Sequence, residues 1–202
     1  MSVAVVDTGV ANIHSVVSAL GRLGAESVVT SRVEDVRAAE RVILPGVGSA
    51  GAGMAALTAH GLVEPLRDVT RPLLGICLGM QMMFAGLGEA NNKTSGADTR
   101  GLGLFGDDVD ELDTHGLPLP HMGWNTLETV VDDPLLDGVR EEDYVYFVHS
   151  FAAPVSSATL AAATYGSAFS AVVRQGNRMG CQFHPERSGT VGARILENFL
   201  QL

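Results

Sequence analysis

The stretch Leu73-Leu74-Gly75-Ile76-Cys77-Leu78-Gly79-Met80-Gln81 decides how the rest of the chain is read. Pro72 to Ile76 is an apolar run of the kind a fully buried strand carries, and Leu78 to Phe84 reads as the start of a helix. Cys77 falls at the join, with Gly75 and Gly79 two residues to either side. A nucleophile on a tight strand-to-helix turn between glycines is the G-x-nucleophile-x-G elbow, here with Cys where Ser is commoner. A Cβ at either glycine would strike the adjoining strand or helix. At a helix start, unpaired N–H groups and the helix dipole favour thiolate over thiol. The competing reading is a buried structural cysteine between chance glycines, in a chain that has 24 of them.

A cysteine nucleophile needs a base and something to orient the base. The sequence offers both in Gly180-Cys181-Gln182-Phe183-His184-Pro185-Glu186-Arg187-Ser188. Met179 to Phe183 reads as a short strand. Pro185 pushes His184 towards an extended conformation, in which His184 and Glu186 project to the same face. A surface His and Glu at a strand end is the plainer reading of this stretch taken alone.

Working outward, Val3 to Val6 reads as a buried strand that ends in Asp7-Thr8-Gly9. Asn12 is placed to cap a helix beginning near Ile13, with Leu20 and Leu23 on its apolar face and Gly24 at its end. Val28 to Thr30 and Arg41 to Leu44 read as further strands. This alternation predicts an α/β fold: an open, mixed, mostly parallel sheet with helices on both faces. Ligands of such sheets bind beyond the carboxyl ends of the strands. Asp7-Thr8-Gly9, Pro45-Gly46-Val47-Gly48 and Cys77 all fall there. Ser49 is placed to cap the helix through Ala55 and Leu57. An acyl transfer at Cys77 needs oxyanion donors, and the N–H groups of Leu78 and Val47 are candidates. Gly46 and Gly48 bracket Val47 and would let its peptide turn. A simple glycine-rich connection explains the same residues.

Ala85 to Gly106 reads as a mobile surface loop, with Asn91 to Thr99 its candidate for disorder. Beyond it, Val109 to Leu112, Asn125 to Val131, Tyr144 to Phe147, Thr159 to Thr164 and Ala168 to Arg174 read as strands, and this half looks more antiparallel. Gly189 to Leu202 reads as a closing amphipathic helix. The expectation is one domain spanning 1–202.

Of the 202 residues, 46% are hydrophobic and 18% charged, which supports a packed core and argues against disorder. A net charge of -10 argues against nucleic acid or an anionic membrane as general partners. The two cysteines, Cys77 and Cys181, allow two free thiols, as in a reducing cytoplasm, or one disulfide that would consume the proposed nucleophile. No basic region precedes the first apolar residues, so a signal peptide is not expected, and no uncharged apolar run reaches the length of a membrane span.

Gly75-Ile76-Cys77-Leu78-Gly79 together with His184-Pro185-Glu186 resembles the class I (triad) glutamine amidotransferases, whose fold is flavodoxin-like. Leu119-Pro120-His121-Met122-Gly123-Trp124-Asn125, Tyr144-Val145-Tyr146-Phe147-Val148-His149-Ser150-Phe151 and Asn12 narrow the likeness, nearly end to end, to the glutaminase subunits of imidazole glycerol phosphate synthases. The resemblance implies a Cys77, His184, Glu186 triad acting on the side-chain amide of L-glutamine through a thioester, with no cofactor and no metal. It implies that Gly46, Val47, Gly48, Leu78, Gln81, His149, Ser150 and Phe151 bind the substrate, His149 through its backbone only. Asn12, Met122, Trp124, Tyr146 and Arg187 would meet a cyclase partner, a (β/α)8 barrel that receives the ammonia within a cytoplasmic heterodimer of histidine biosynthesis. Thr8, Ala11 and Arg187 depart from the family, which usually has Tyr, Gly and Lys there. Rival readings are the glutaminase of pyridoxal phosphate synthesis and an inactive regulatory subunit on the same fold.

Overall fold

The computed structural model describes residues 2–9, 12–88, 100–128 and 130–202. Val10, Ala11 and the stretch Asn91-Asn92-Lys93-Thr94-Ser95 lie outside the described residues, so the expectations for them go no further.

The first half alternates as its pattern predicts: β1 (Ser2–Val6), α1 (Ile13–Arg22), β2 (Glu26–Thr30), α2 (Val33–Ala38), β3 (Arg41–Gly46), α3 (Ala50–Ala59), α4 (Val63–Arg67) and β4 (Leu73–Cys77). A one-turn helix, α5 (Leu78–Gln81), follows, then β5 (Phe84–Leu87), β6 (Phe105–Glu111), β7 (His121–Thr126), β8 (Tyr144–His149) and β9 (Phe151–Ala152). The chain closes with β10 (Thr159–Tyr165), β11 (Ser167–Gln175), β12 (Arg178–Cys181), a 3-10 turn at Pro185–Arg187, and α6 (Gly189–Gln201).

The seven-stranded sheet runs β10-β11-β12-β4-β3-β1-β2. Its five strands from β12 to β2 are parallel; β11 and β10 add antiparallel at one edge. The central strands are buried on both sides because their side chains alternate between two apolar layers. Ile43 joins Val5, Leu20, Ile76 and Phe199 in one layer, while Val42 and Leu44 join Val36, Leu57, Leu66 and Met80 in the other. Burying each such side chain contributes about 1.5–3 kcal/mol.

The helix ends follow local chemistry. Gly24 at φ +74 lets Gly24 N–H reach Gly21 O and Ala25 N–H reach Leu20 O, which terminates α1. Ser49 Oγ accepts from Ala52 N–H at 3.4 Å and caps α3 as expected. Asn12 stands at the N-cap of α1 but makes no side-chain capping bond.

Three expectations need correcting. The helix expected over Leu78 to Phe84 stops after Gln81, because Leu102 N–H and Leu104 N–H return to take the carbonyls of Met82 and Met83 at 2.7 Å each. The surface loop expected from Ala85 to Gly106 therefore begins and ends as strand: β5 runs to Leu87 and pairs parallel with β6. The strand expected at Asn125 to Val131 is instead His121–Thr126, in register with β8 from His121↔His149 to Thr126↔Tyr144.

Candidate active site

The register of the sheet closes the long gap between the elbow and the His-Pro-Glu turn. Strand β12 lies beside β4 with Cys181 opposite Ile76, so both chains leave the sheet at the same edge. On the other flank β3 places Gly46 opposite Cys77, which brings Val47 to the elbow. The site is a product of strand order.

Cys77 holds φ 53 and ψ -111, a left-handed strain for a residue with a Cβ. The turn is that tight because its neighbours are glycines. A Cβ on Gly75 would come within 2.6 Å of Met80 Cα, and one on Gly79 would collide with the Leu44 carbonyl oxygen. A Cβ on Gly46 would meet Gly79 N at 2.8 Å. Gly46 is therefore needed for the close approach of β3 to the elbow, whereas Gly48, at φ +88 with open space around it, carries the backbone freedom expected of both. With α5 one turn long, any dipole effect on Cys77 comes from a single turn of peptides.

His184 is extended at φ -96, but Glu186 sits in the 3-10 turn, so their meeting depends on the turn and not on a continuous strand face. His184 Nδ1 and Glu186 Oε1 are 2.8 Å apart, with side chains 6% and 1% exposed. Ser188 Oγ donates to the His184 carbonyl at 2.7 Å and accepts from Tyr146 N–H at 3.0 Å, fastening the turn to β8. Burial opposes a charge on His184. The hydrogen bonds and charges of Cys77 and Glu186 outweigh it and lift the imidazole pKa to about 10. Among the described residues, His184 Nε2, on the Cys77 side, and Glu186 Oε2 have no partner at strict hydrogen-bond distance and angle.

Besides His184, the sulfur meets Val148 O at 3.8 Å and Gln182 Nε2 at 3.7 Å. Both cysteines are free. A cavity of about 290 Å³ opens onto Cys77 and His184. Of the eight expected substrate residues, Val47, Gly48, Leu78, Gln81, His149, Ser150 and Phe151 line it. Gly46 lies behind, with Asn12 and Glu186, on a separate cavity of about 10 Å³. Gln81 Nε2 donates to Phe151 O at 2.7 Å and to Gln182 Oε1 at 3.0 Å.

His149 belongs to a buried chain of fixed protons. His149 Nδ1 lies 3.0 Å from Phe151 O, which can only accept. The neutral ring must then accept at Nε2, where His121 Nδ1 stands 3.0 Å away and donates. His121 Nε2 in turn accepts from Asn125 Nδ2 at 3.4 Å. Burial lowers His149 to a pKa of about 3, helped by the charge His121 would carry and opposed by the Phe151 carbonyl; burial lowers His121 to about 4. Both ring nitrogens of His149 are engaged within the protein.

The expected partner residues gather on the outer face of the β7–β8 ribbon, apart from Asn12, which is exposed at the start of α1. Met122 and Trp124 are 62% and 55% exposed, so the single Trp of the sequence is not a core residue. Trp124 packs edge-on to Tyr146 at 6.0 Å, and the Arg187 guanidinium lies 4.8 Å over the same tyrosine ring. Sequence reading gave no role to Gln182, His121 or Val148. A glutamine inside an otherwise apolar strand end was the one available signal for Gln182.

Fold and site define a class. The chain belongs to the class-I glutamine amidotransferases, whose family model matches residues 4–202. Among curated relatives, it is 48% identical to the imidazole glycerol phosphate synthase subunit HisH of Shewanella oneidensis, over 99% of this chain and 96% of that one. It is also 48% identical to the subunit of the same name from Idiomarina loihiensis, over 100% of this chain and 98% of that one. The fold is shared with the crystal structure of a glutamine amidotransferase from Thermotoga maritima, with TM-score 0.63, 19% identity, and coverage of 100% of this chain and 83% of that one. Among the described residues no helix is long and apolar enough to cross a membrane.

Proposed function

We propose that this chain, as one domain over 1–202, is the glutaminase subunit of an imidazole glycerol phosphate synthase. The observation that carries the chemistry is the free Cys77 on a strained elbow, sharing one cavity with an imidazole hydrogen-bonded to a buried carboxylate. The near full-length likeness to subunits of that name carries the assignment to this synthase over other amidotransferases.

The Cys77 sulfur attacks the side-chain carbonyl carbon of L-glutamine. A C–S bond forms, and the carbonyl electrons move to oxygen, where the N–H groups of Leu78 and Val47 receive the charge. His184 gives its proton to the departing nitrogen as the C–N bond breaks, releasing ammonia and leaving a thioester. The now neutral His184 takes a proton from water as the water attacks, and the C–S bond breaks to give glutamate. The proton that His184 gives is the one it takes from the Cys77 thiol for the attack, so His184 acts first as base, then as acid to the leaving nitrogen, then as base to water. Glu186 orients His184 and balances its charge. Gln81 spends its nitrogen inside the protein, which leaves Oε1 to accept from the substrate ammonium.

Trp124, Tyr146, Arg187, Met122 and Asn12 would meet the cyclase, a (β/α)8 barrel, in a cytoplasmic heterodimer. The ammonia passes there to a ribulose-phosphate ribonucleotide, giving imidazole glycerol phosphate and the carboxamide ribotide of purine synthesis. The test uses the reconstituted pair. Cys77→Ala should lose glutamine-dependent synthesis and keep synthesis from ammonium, while Cys181→Ser keeps both. Normal glutamine turnover by Cys77→Ala would overturn the reading.

A further inference from the structure

Gln182 is wholly buried and its side chain reaches the reactive sulfur. Its amide cannot be turned the other way. Gln81 Nε2 donates to Phe151 O at 2.7 Å, so it is a nitrogen that faces Gln182, and Gln182 must answer with its oxygen at 3.0 Å. A flipped Gln182 would set two donors face to face. Its own nitrogen is thereby aimed at Cys77 Sγ, 3.7 Å away. On another side, Val148 O stands 3.8 Å from the sulfur. The two neighbours have opposite preferences. The carbonyl accepts only, so it holds a thiol and repels a thiolate. The amide donates, and its bond strengthens when the acceptor becomes an anion.

We propose that Gln182 is a positioning residue for the nucleophile: it holds the Cys77 thiolate off the Val148 carbonyl and aimed into the cavity, while Gln81 fixes its amide and so ties that hold to the substrate clamp. The proposal rests on the reading of Cys77 as nucleophile. It places a neutral donor beside the sulfur in addition to His184. It also gives Gln81 a second duty, since one nitrogen of Gln81 serves Phe151, which lines the substrate cavity, and Gln182, which serves the sulfur.

The test uses the full chain with Cys181→Ser as parent, so that iodoacetamide reports on Cys77 alone. Gln182→Leu should slow alkylation of Cys77 at neutral pH by about 10-fold or more, the size of one hydrogen bond to a charged group. The ultraviolet absorbance of the thiolate should fall with it. With the cyclase and its ligand present, the loss should fall on kcat for glutamine and leave KM within about threefold. Gln182→Asn keeps an amide but withdraws it by one methylene; it covers the case in which Leu leaves Gln81 unpaired and the chain fails to fold, and should show the same loss. Gln182→Glu, which turns an acceptor to the sulfur, should be slower still. Alkylation within about twofold of the parent in a folded Leu or Asn variant overturns the proposal. Fast alkylation in a parent that hydrolyses no glutamine would instead count against the functional reading and leave this one standing.

Discussion

Two buried histidines, His184 and His149, line the same cavity and reach opposite states of charge, each set by the side chains paired with it: Cys77 and Glu186 in one case, His121 in the other. His184 and His149 are each 5% exposed. Burial disfavours the imidazolium in both, and it is the largest single influence on both. His184 nevertheless rises to about 10, while His149 falls to about 3. Their partners separate them: His184 has the Cys77 sulfur and, at Nδ1, a carboxylate at 2.8 Å, whereas His149 has a backbone carbonyl at 3.0 Å at Nδ1. At its other nitrogen His149 meets a second histidine, whose charge would oppose its own. Exposure alone would predict neither outcome. The sulfur and the carboxylate together make one imidazole a proton donor, and their absence makes the other a fixed strut.

Removing the carboxylate puts this contrast to its hardest test. Glu186→Gln keeps the shape and gives His184 a neutral partner, as His149 has. His184 should then lose its resting proton, and glutamine turnover in the complex should fall by about 10²–10⁴-fold, the scale seen when an orienting triad carboxylate is neutralised. Synthesis from ammonium should stay near the parent rate. Turnover within about tenfold of the parent would mean that Cys77 alone keeps His184 charged.

What could be read from the amino-acid sequence follows the same line. The elbow and the His-Pro-Glu turn were legible because residue identity and spacing dictate them: Cys between glycines, Pro between His and Glu. The parallel half of the sheet was legible from Val3, Val42 and Leu73, whose runs are apolar throughout. Gln182 and His121 were not, because each acquires its role from a neighbour distant in sequence, Gln81 in one case and His149 in the other. The end of α5 was not legible either, since the carbonyls of Met82 and Met83 are taken by Leu102 and Leu104, beyond a long connection. Gly46 was read as a hinge because sequence shows a missing Cβ but not the Gly79 nitrogen that requires it to be missing.

The two pairs should also appear in stability as limbs of opposite sign. His121 and His149 have folded pKa values below their ordinary 6.5, at about 4 and about 3. Their stabilisation is full above pH 6.5 and is lost as pH falls, because the unfolded chain binds two protons that the folded chain refuses. Each group costs up to about 1.4 kcal/mol per pH unit in that window. His184, raised to about 10, works the other way: its contribution is full below 6.5 and is lost as pH rises towards 10. Denaturant melts from pH 5 to 9 should therefore show both limbs. His121→Phe should keep the ring stack on Phe147 and Tyr165, at 4.8 and 4.2 Å. It leaves His149 Nε2 without its donor, a cost of about 1–3 kcal/mol at neutral pH. It should also halve the acid slope and leave the alkaline one. An unchanged acid slope would mean that these histidines do not set it.

The smallest effect is the most direct check: give His121 the carboxylate it lacks. Asn125 Oδ1 accepts from Thr126 N–H at 2.8 Å, while Nδ2 donates to Thr164 O at 2.9 Å and approaches His121 Nε2 at 3.4 Å. In Asn125→Asp the first bond survives and the second atom becomes an acceptor, so His121 Nε2 must now donate. His121 Nδ1 is already committed as a donor to His149, whose own Nδ1 serves Phe151. The neutral ring has one proton and cannot meet both demands; the imidazolium can. His121 should therefore move up from about 4. A nearby opposite charge raises such a group by about 1–3 units, here towards the low end because the new carboxylate also faces the Thr164 carbonyl. Proton NMR of the histidine ring signals against pH reads this residue by residue. His184 should keep its protonation, and glutamine turnover should change little, since Cys77 and the cavity are untouched. If His121 in the variant still titrates near 4, burial and not the partner decides charge in this wall, and the contrast between the two pairs loses its cause.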